Sequence, residues 1–230
     1  MSGARTALYS AGPSPQEAAA VVVLVHGRGA SGPSILGLAD AFGHDDVAYL
    51  APEAGGGSWY PHSFLAPIEA NEPGLSRGVD AIGSLVRYVD AAEIPRERVV
   101  LGGFSQGACL ALEAAARLGG PWGGVFAFSG GLIGTGPGPA DAPRLAGMGG
   151  RYAEKAFDYD ALLDGTPVFL GCSDVDPHIP LARVRTTADV FARLGAEVDL
   201  RVYPGFGHTV NDDEIAAVSA MLDRLVGSEF

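Results

Sequence analysis

The stretch "VVLGGFSQGACLALEAA", residues 99–115, carries an apolar run through Gly103-Phe104-Ser105-Gln106-Gly107 into a helix-like segment. Gly-x-Ser-x-Gly between a strand and a helix is typical of a sharp turn that strains the serine backbone and exposes its hydroxyl oxygen. The residues two before and two after the serine must be small, because they pack against the strand and the helix. The free N–H groups at the helix start favour developing negative charge nearby. The stretch therefore predicts that Ser105 is a nucleophile at the edge of an α/β sheet.

Outside this stretch, apolar runs of strand length alternate with helix-like segments. The predicted strands are Thr6–Ser10, Ala19–Val25, Val47–Ala51, Arg98–Gly102, Gly124–Phe128, Pro167–Gly171 and Glu197–Tyr203. The predicted helices are Ser34–Phe42, Gly74–Ala92, Gln106–Leu118, Pro180–Leu194 and Asp212–Val226. Several runs are continuously apolar, which suits strands buried on both faces of a sheet. The pattern predicts a doubly wound sheet of about seven mostly parallel strands with helices on both faces. No repeat or linker divides the chain, so we expect residues 1–230 to form a single domain.

The composition excludes several classes of partner. The chain has 230 residues and a formal net charge of −12, which disfavours binding to nucleic acid and to anionic membrane surfaces. Two cysteines, Cys109 and Cys172, form no Cys-x-x-Cys pair and lie in apolar surroundings, so we expect buried free thiols. The N-terminal segment lacks a long apolar stretch, and no run is long enough to span a membrane. These features predict a cytoplasmic protein without stable membrane association.

A serine hydroxyl is a weak nucleophile and needs a base, which an acid in turn orients. In a sheet of this kind the acid and then the base follow the serine, each in a loop after a later strand. Asp174 and Asp176 follow the sixth predicted strand, and His208 follows the last strand in a glycine-bracketed loop. In an extended loop the two aspartates point to opposite sides, and Pro177 restricts Asp176 to extended backbone. We therefore expect Asp176 to orient His208 and Asp174 to cap a turn. The other histidines, which lack this setting, are His26, His44, His62 and His178, and we expect His26 to be structural.

A second glycine-rich stretch, "VVVLVHGRGASG" at residues 21–32, allows two interpretations. Its glycines match the dinucleotide fingerprint G-x-G-x-x-G, and Glu53 follows the next strand about where a ribose-binding acid would lie. An acyl-transfer enzyme instead needs backbone N–H donors where an oxyanion develops, and the amides of Arg28 and Gln106 are in the expected places. The dinucleotide interpretation leaves Ser105 and His208 unexplained, so we favour the oxyanion role. A bidentate contact of the Arg28 side chain with a substrate carboxylate is a further possibility.

Two irregular segments interrupt the alternation of strands and helices. The first, residues 53–67, places Trp59, Tyr60 and Phe64 between turn residues, where they either line a pocket or anchor the loop to the core. The second, residues 132–164, is rich in Gly and Pro in its first half and is longer than a usual connection, so it is a wall over a site or a poorly ordered excursion. The three aromatic residues and Leu132 are the predicted substrate-binding residues.

The combination of "VLVHGRGAS", "SWYP", "LGGFSQGACLAL", "DVDPHIP" and "YPGFGH" resembles the phospholipase/carboxylesterase family of α/β-hydrolases, which includes the acyl-protein thioesterases. The resemblance runs from about Val21 to the C-terminus. It implies an α/β-hydrolase fold and a role for Trp59 beside an acyl channel. It also implies the same catalytic and oxyanion residues as the motifs: nucleophile Ser105, acid Asp176, base His208, and oxyanion donors Arg28 and Gln106. The chain departs from the family at Arg28, at Pro61 and in the segment 134–150, where an apolar residue, an aspartate and an acyl tunnel are usual.

These observations predict a serine hydrolase that cleaves carboxylic esters of small to medium acyl chains through an acyl-enzyme. It needs no cofactor and no metal, and its partner is a small-molecule ester. The alternatives on the same fold are a thioesterase or lysophospholipase for longer acyl groups and a dienelactone-type hydrolase, which usually carries cysteine at the position of Ser105. Alternatives of another class are a dinucleotide-dependent oxidoreductase and a binding protein on an inactive hydrolase fold. The sequence predicts no oligomeric state.

Overall fold

A computed structural model describes residues 7–139, 152 and 154–227 of the chain. Its strands are β1 Ala7–Ala11, β2 Ala20–Val25, β3 Val47–Glu53, β4 Val99–Phe104, β5 Gly124–Phe128, β6 Gly136–Pro137, β7 Lys155–Ala156, β8 Pro167–Ser173 and β9 Glu197–Tyr203. Its helices are α1 Gly32–Ile35, α2 Gly37–Phe42, α3 Ile68–Asn71, α4 Gly74–Ala91, α5 Gln106–Leu118, α6 Leu181–Arg193 and α7 Asp212–Val226.

Seven strands form the main sheet, in the order β1-β3-β2-β4-β5-β8-β9. Every neighbouring pair is parallel except β1 and β3, which are antiparallel. The edge strand β1 is mostly exposed, whereas β2, β4 and β5 in the centre are buried along nearly their whole length. The predicted mostly parallel sheet of about seven strands is confirmed.

Alternate residues of the central strands enter two separate cores, one on each face of the sheet. Along β2, Val21, Val23 and Val25 pack in one core together with residues of α4, α5 and α6. Ala20, Val22 and Leu24 pack in the other core, with residues of α2 and α7. This arrangement explains the continuous apolar run, because both faces of β2 are covered by helices.

The element boundaries follow the predictions closely, with four differences. The predicted helix Ser34–Phe42 is two helices, because Ser31 caps a first turn that begins at Gly32. The short helix α3 and the two-residue strands β6 and β7 were not predicted; their runs are too short for a periodic pattern. The predicted start of β1 at Thr6 and a large part of the irregular segment 132–164, residues 140–151 and 153, lie outside the described residues.

The fold brings four loops to one edge of the sheet, because the carboxyl ends of parallel strands share an edge. These are the loops after β2, β4, β8 and β9, and they carry Arg28, Ser105, Asp176 and His208. None of the helices in the described part of the chain is both long and apolar enough to cross a lipid bilayer.

Candidate active site

Ser105 lies on the turn between β4 and α5 with φ of 56° and ψ of −121°. A positive φ is costly for any residue with a Cβ, and it persists here because the flanking residues fix the turn. A Cβ atom at Gly103 would lie 2.2 Å from the carbonyl oxygen of Val25, and one at Gly107 would lie 2.0 Å from the same oxygen. Both glycines of the Gly-x-Ser-x-Gly motif therefore allow the end of β2 to press against the turn.

The structure places the side chains of Ser105, His208 and Asp176 in one hydrogen-bonded row. His208 Nε2 lies 2.8 Å from Ser105 Oγ, and His208 Nδ1 lies 2.6 Å from Asp176 Oδ2. This geometry fits the tautomer with the proton on Nδ1, which donates to the carboxylate and leaves Nε2 to accept from the serine hydroxyl. Phe104 packs beside the imidazole, with ring centroids 4.9 Å apart.

Asp176 and Asp174 have different partners, although they are two residues apart. Asp176 Oδ1 accepts hydrogen bonds from the backbone amides of His178 and Ile179 at 2.8 and 3.0 Å. Burial alone would raise the pKa of Asp176, but the hydrogen bonds from His208 and from these two amides hold that pKa below its usual value. Asp174 is exposed and accepts from the backbone amide of Gly205 at 2.8 Å. Asp176 therefore faces the imidazole, and Asp174 caps the loop that carries it.

The glycine-rich loop after β2 lies against the serine turn. A Cβ atom at Gly27 would be 3.5 Å from the Cβ atom of Ser105. Among the hydrogen bonds of the described residues, none is donated by the backbone amide of Arg28 or by that of Gln106. His26 is fully buried, and its Nε2 accepts from the amide of Ala54 at 3.0 Å, so this histidine is structural as expected.

The remaining glycines of this loop have roles other than a phosphate cradle. The Gly29 amide donates to the carbonyl of Gly57 at 2.7 Å. A Cβ atom at Gly32 would meet the Tyr9 ring at 2.5 Å, so Gly32 is needed for packing against β1. Glu53 accepts from the Gly32 amide at 3.0 Å, and the following helix α1 has only four residues. The dinucleotide interpretation is therefore wrong, because its glycines and its acid serve the local fold.

A pocket of about 600 Å³ opens beside Ser105. Its lining consists of Gly27, Arg28, Ala30, Tyr60, Pro61, His62, Ser63, Phe64, Phe104, Ser105, Gln106, Cys109, His178, Ile179 and His208. Tyr60, Phe64, Cys109 and Ile179 are buried, whereas Arg28, His62 and His178 are exposed. The pocket thus has an apolar interior and a polar mouth, and its volume is in the usual range for small-molecule sites.

The loop Ser58–Phe64, here called the wall loop, forms one side of the pocket. The Gln106 side chain accepts from the Trp59 amide at 3.0 Å and donates to the Tyr60 carbonyl at 2.8 Å. Buried Asn71 accepts from the His62 amide and donates to the Ser63 carbonyl, both at 2.9 Å. These side chains satisfy backbone groups of an irregular segment that has no sheet or helix partners.

Arg28 holds the same loop from the other side. Its Nη1 donates to Ser58 Oγ at 2.8 Å and to the Pro61 carbonyl at 3.0 Å, and its Nη2 donates to the His62 carbonyl at 2.7 Å. The sequence analysis selected Arg28 and Gln106 for their backbone amides. It did not predict that their side chains hold the wall loop by hydrogen bonds. These contacts were missed because they join positions 30 residues apart for Arg28 and Ser58 and 47 residues apart for Gln106 and Trp59.

The structure corrects two of the four predicted substrate-binding residues. Tyr60 and Phe64 line the pocket, but Trp59 and Leu132 do not. The Trp59 indole is buried and donates to the His26 carbonyl at 3.0 Å, so it anchors the wall loop to the core. Leu132 is fully buried, with its amide bonded to Thr187 Oγ1 at 2.9 Å.

Sequence reasoning also gave no site role to two histidines that line the pocket, His62 and His178. His178 packs edge-on against His208, with ring centroids 4.9 Å apart. It lies two residues after Asp176 in "DVDPHIP", so its proximity to the acid was the available signal.

A polar cluster, in which Glu113, Lys155 and Arg183 are buried, lies behind the pocket. Its members are Glu113, Arg117, Glu154, Lys155, Tyr159 and Arg183. Glu113 accepts from the amides of Ile133 and Gly134 at 3.0 and 3.1 Å, and Lys155 donates to the Phe64 carbonyl at 2.8 Å. Burial lowers the pKa of Lys155 to about 8. The cluster therefore ties the segments 132–135 and 154–159 to the wall loop.

Both cysteines are buried free thiols, as predicted. Burial raises the pKa of Cys109 and of Cys172 to about 12 each. Neither is a competent nucleophile at neutral pH, so the dienelactone-type alternative has no cysteine to use. Within the described residues, no group of three His, Cys, Asp or Glu side chains is placed to hold a metal ion.

The seven-stranded sheet, with a serine on the turn after its central strand β4, defines an α/β-hydrolase fold. The chain belongs to the phospholipase/carboxylesterase family, whose model matches residues 11–226. The predicted family is confirmed, and the chain is a hydrolase of the esterase and thioesterase type.

Similar proteins include enzymes of both types. A phospholipase/carboxylesterase structure from Dyadobacter fermentans is 35% identical, covers 96% of this chain and 99% of its own, and has a TM-score of 0.83. Acyl-protein thioesterase 1 of Debaryomyces hansenii is 26% identical over 231 residues, which are 91% of this chain and 92% of that protein. The Bacillus cereus carboxylesterase structure shares the fold with a TM-score of 0.73 at 16% identity, covering 97% of this chain and 96% of its own.

Proposed function

We propose that the protein is a serine hydrolase that cleaves esters of small to medium acyl chains through an acyl-enzyme on Ser105. The proposal rests on one observation above all, the row of Ser105, His208 and Asp176 with separations of 2.8 and 2.6 Å beside a pocket. A nucleophile, its base and the acid that orients the base are within hydrogen-bond reach of one another, as this chemistry requires.

In the first half of the reaction, Ser105 Oγ attacks the ester carbonyl carbon while its proton passes to His208 Nε2. The imidazolium that forms is stabilised by Asp176, whose lowered pKa keeps it ionised. The backbone amides of Arg28 and Gln106 have no acceptor within the described chain and donate to the oxyanion of the tetrahedral intermediate. The intermediate collapses, and the leaving alcohol takes the proton from His208.

In the second half, water replaces the alcohol. His208 removes a proton from this water as it attacks the acyl carbonyl, and the same two amides hold the second oxyanion. Collapse of this intermediate breaks the bond to Ser105 Oγ, which takes its proton back from His208, and the carboxylic acid leaves. The cycle needs no redox step and consumes only the ester and water.

The substrate size follows from the pocket. A volume of about 600 Å³ with buried Tyr60, Phe64 and Cys109 inside accommodates a short or medium apolar group. The relatives named acyl-protein thioesterase 1 make a thioester the second candidate, because the same row of residues attacks both types of carbonyl. Matched oxygen esters and thioesters of one acyl group, assayed side by side, would separate the two.

The test of the proposal is covalent labelling of the serine. A fluorophosphonate probe should label Ser105 alone, as read by mass spectrometry, and Ser105→Ala should lose on the order of 10³-fold or more in kcat. Ser84→Ala, at an exposed serine on α4, is the matched control and should keep full labelling and turnover. Labelling of a different residue, or near-normal hydrolysis by Ser105→Ala, would overturn the assignment.

A further inference from the structure

The mouth of the pocket carries an arginine and no carboxylate, although the protein is strongly acidic. Among the described residues that line the pocket there is no Asp or Glu, although the chain carries a formal net charge of −12. Its exposed lining side chains instead include Arg28, His62 and His178. A fixed positive charge in a concave site whose lining has no carboxylate attracts ligands of negative charge.

The charge of Arg28 is not neutralised by any acid. Its three hydrogen-bond acceptors are the Ser58 hydroxyl and the carbonyls of Pro61 and His62, all of which are neutral. No carboxylate in the described part of the chain lies within ion-pair distance of this guanidinium.

The guanidinium is also held in place with donors to spare. Arginine has five N–H donors, and three are used by the wall loop, which leaves the Nε–H and one Nη2–H. A fixed guanidinium with two neighbouring donors matches the two oxygens of a carboxylate, and little side-chain entropy is left to lose on binding.

The acid of the serine site does not cancel this charge at the mouth. The Asp176 side chain is fully buried behind His208. Its oxygens already accept from the imidazole and from two backbone amides. The negative charge therefore faces the imidazole, and the Arg28 charge faces the opening.

We propose that the natural substrate is an ester or thioester that carries a carboxylate, which the Arg28 side chain binds at the pocket mouth while Ser105 attacks the carbonyl. The inference deepens the proposed function and rests on it. The apolar interior takes the uncharged part of the substrate, and Arg28 determines specificity at the mouth.

Two pairs of isosteric esters test the proposal. In the first pair the charge is on the acyl side, with monoethyl succinate compared with ethyl succinamate. In the second pair it is on the alcohol side, with 3-acetoxybenzoate compared with 3-acetoxybenzamide. The two esters of a pair differ only in that one carries a carboxylate where the other carries an amide. The kcat/KM of the carboxylate ester divided by that of the amide ester therefore reports recognition of the charge. We expect a ratio of about tenfold or more in at least one pair, which falls as salt is added.

Three variants assign that ratio to Arg28. Arg28→Gln should lower it by about tenfold, and Arg28→Lys, which keeps the charge but loses the two-donor fork, should retain only part of it. Arg87→Gln, at an exposed arginine on α4, makes the same change in net charge away from the pocket and should leave the ratio unchanged. A role limited to holding the wall loop would lower both members of a pair alike and leave the ratio constant.

The outcomes separate this proposal from the proposed function. Equal kcat/KM for carboxylate and amide in both pairs, or equal losses on both in Arg28→Gln, would overturn carboxylate recognition while the neutral esters still report an active hydrolase. Loss of labelling at Ser105 would instead overturn the function itself.

Discussion

The proposed reaction centre, Ser105 with Asp176 and His208, and the wall loop Ser58–Phe64 meet at one pocket but are built in different ways. Each residue of the reaction centre follows its own strand, and the three contact one another directly. The wall loop is irregular, and its shape depends on hydrogen bonds from side chains of the loop after β2, of α3 and of α5. The comparison indicates that the ends of the strands position the proposed catalytic side chains, whereas hydrogen bonds between distant residues determine the shape of the pocket wall.

The largest effect is expected within the reaction centre, at its acid. Asp176→Asn should lose about 10³–10⁴-fold in kcat, because the amide stabilises the wrong tautomer of His208. The fold should remain intact, since the asparagine oxygen can still accept from the amides of His178 and Ile179. Steady-state kinetics on one short ester at fixed pH, with the circular dichroism spectrum as a control for folding, measures this loss. A loss below about tenfold would show that another group orients the imidazole.

The next effect concerns a buried acid in the first turn of α7. Buried Glu214 lies against β8, where a Cβ atom at Gly171 would be 2.1 Å from its carboxylate oxygen. Burial raises the pKa of Glu214 to about 7. Between the unfolded pKa near 4.5 and about 7, the folded protein keeps this proton while the unfolded chain loses it, so stability falls as pH rises through this window.

Glu214→Gln should therefore stabilise the protein at pH 8 by about 3 kcal/mol and change little at pH 4.5. The glutamine oxygen can still accept from the Asn211 amide that begins α7, so the helix start is preserved. Urea unfolding at the two pH values measures the effect, and the exposed residue Glu197 gives the control variant Glu197→Gln. The same shift at both pH values would show that ionisation of Glu214 is not its cause.

A smaller effect with a different signature is expected for the wall loop. Asn71→Ala leaves the His62 amide and the Ser63 carbonyl without their partner and should cost about 2 kcal/mol of stability. The wall loop shapes the pocket but supplies no residue of the reaction centre. KM should therefore rise several-fold while kcat changes less. Ser76→Ala removes an exposed hydrogen bond and should leave both unchanged. A loss confined to kcat would contradict the division between reaction centre and wall loop.

The same division explains what the sequence could predict. Ser105, Asp176 and His208 are each recognisable from a local motif beside a strand, and the carboxyl ends of parallel strands meet at one edge. The strand runs were recognisable because both faces of the central strands are buried, as for Val21 to Val25.

The wall loop could not be predicted in this way. Its contacts with Arg28, Asn71 and Gln106 join positions that share no periodic pattern, and the sequence does not indicate which aromatic residue faces inward. Trp59 and Tyr60 are neighbours, yet one anchors the loop and the other lines the pocket. Leu132 lies outside the pocket lining for a related reason, since its amide is bonded to Thr187 on α6, 55 residues away, a contact that no local pattern indicates.

The smallest effect is expected for Asp174. Its variant gives the strictest comparison with Asp176, because the two aspartates are two residues apart. Asp174 is exposed, and its one described partner is the amide of Gly205 in the loop that carries His208. Asp174→Asn keeps an oxygen that accepts from this amide, so the loop should retain its position apart from a small change in charge. We expect a loss of tenfold or less in kcat, against about 10³–10⁴-fold for Asp176→Asn in the same assay. If Asp174→Asn were the more damaged of the two, Asp174 would have to swing toward His208 during the reaction. The acid would then be assigned wrongly, although Ser105 and His208 would keep their roles.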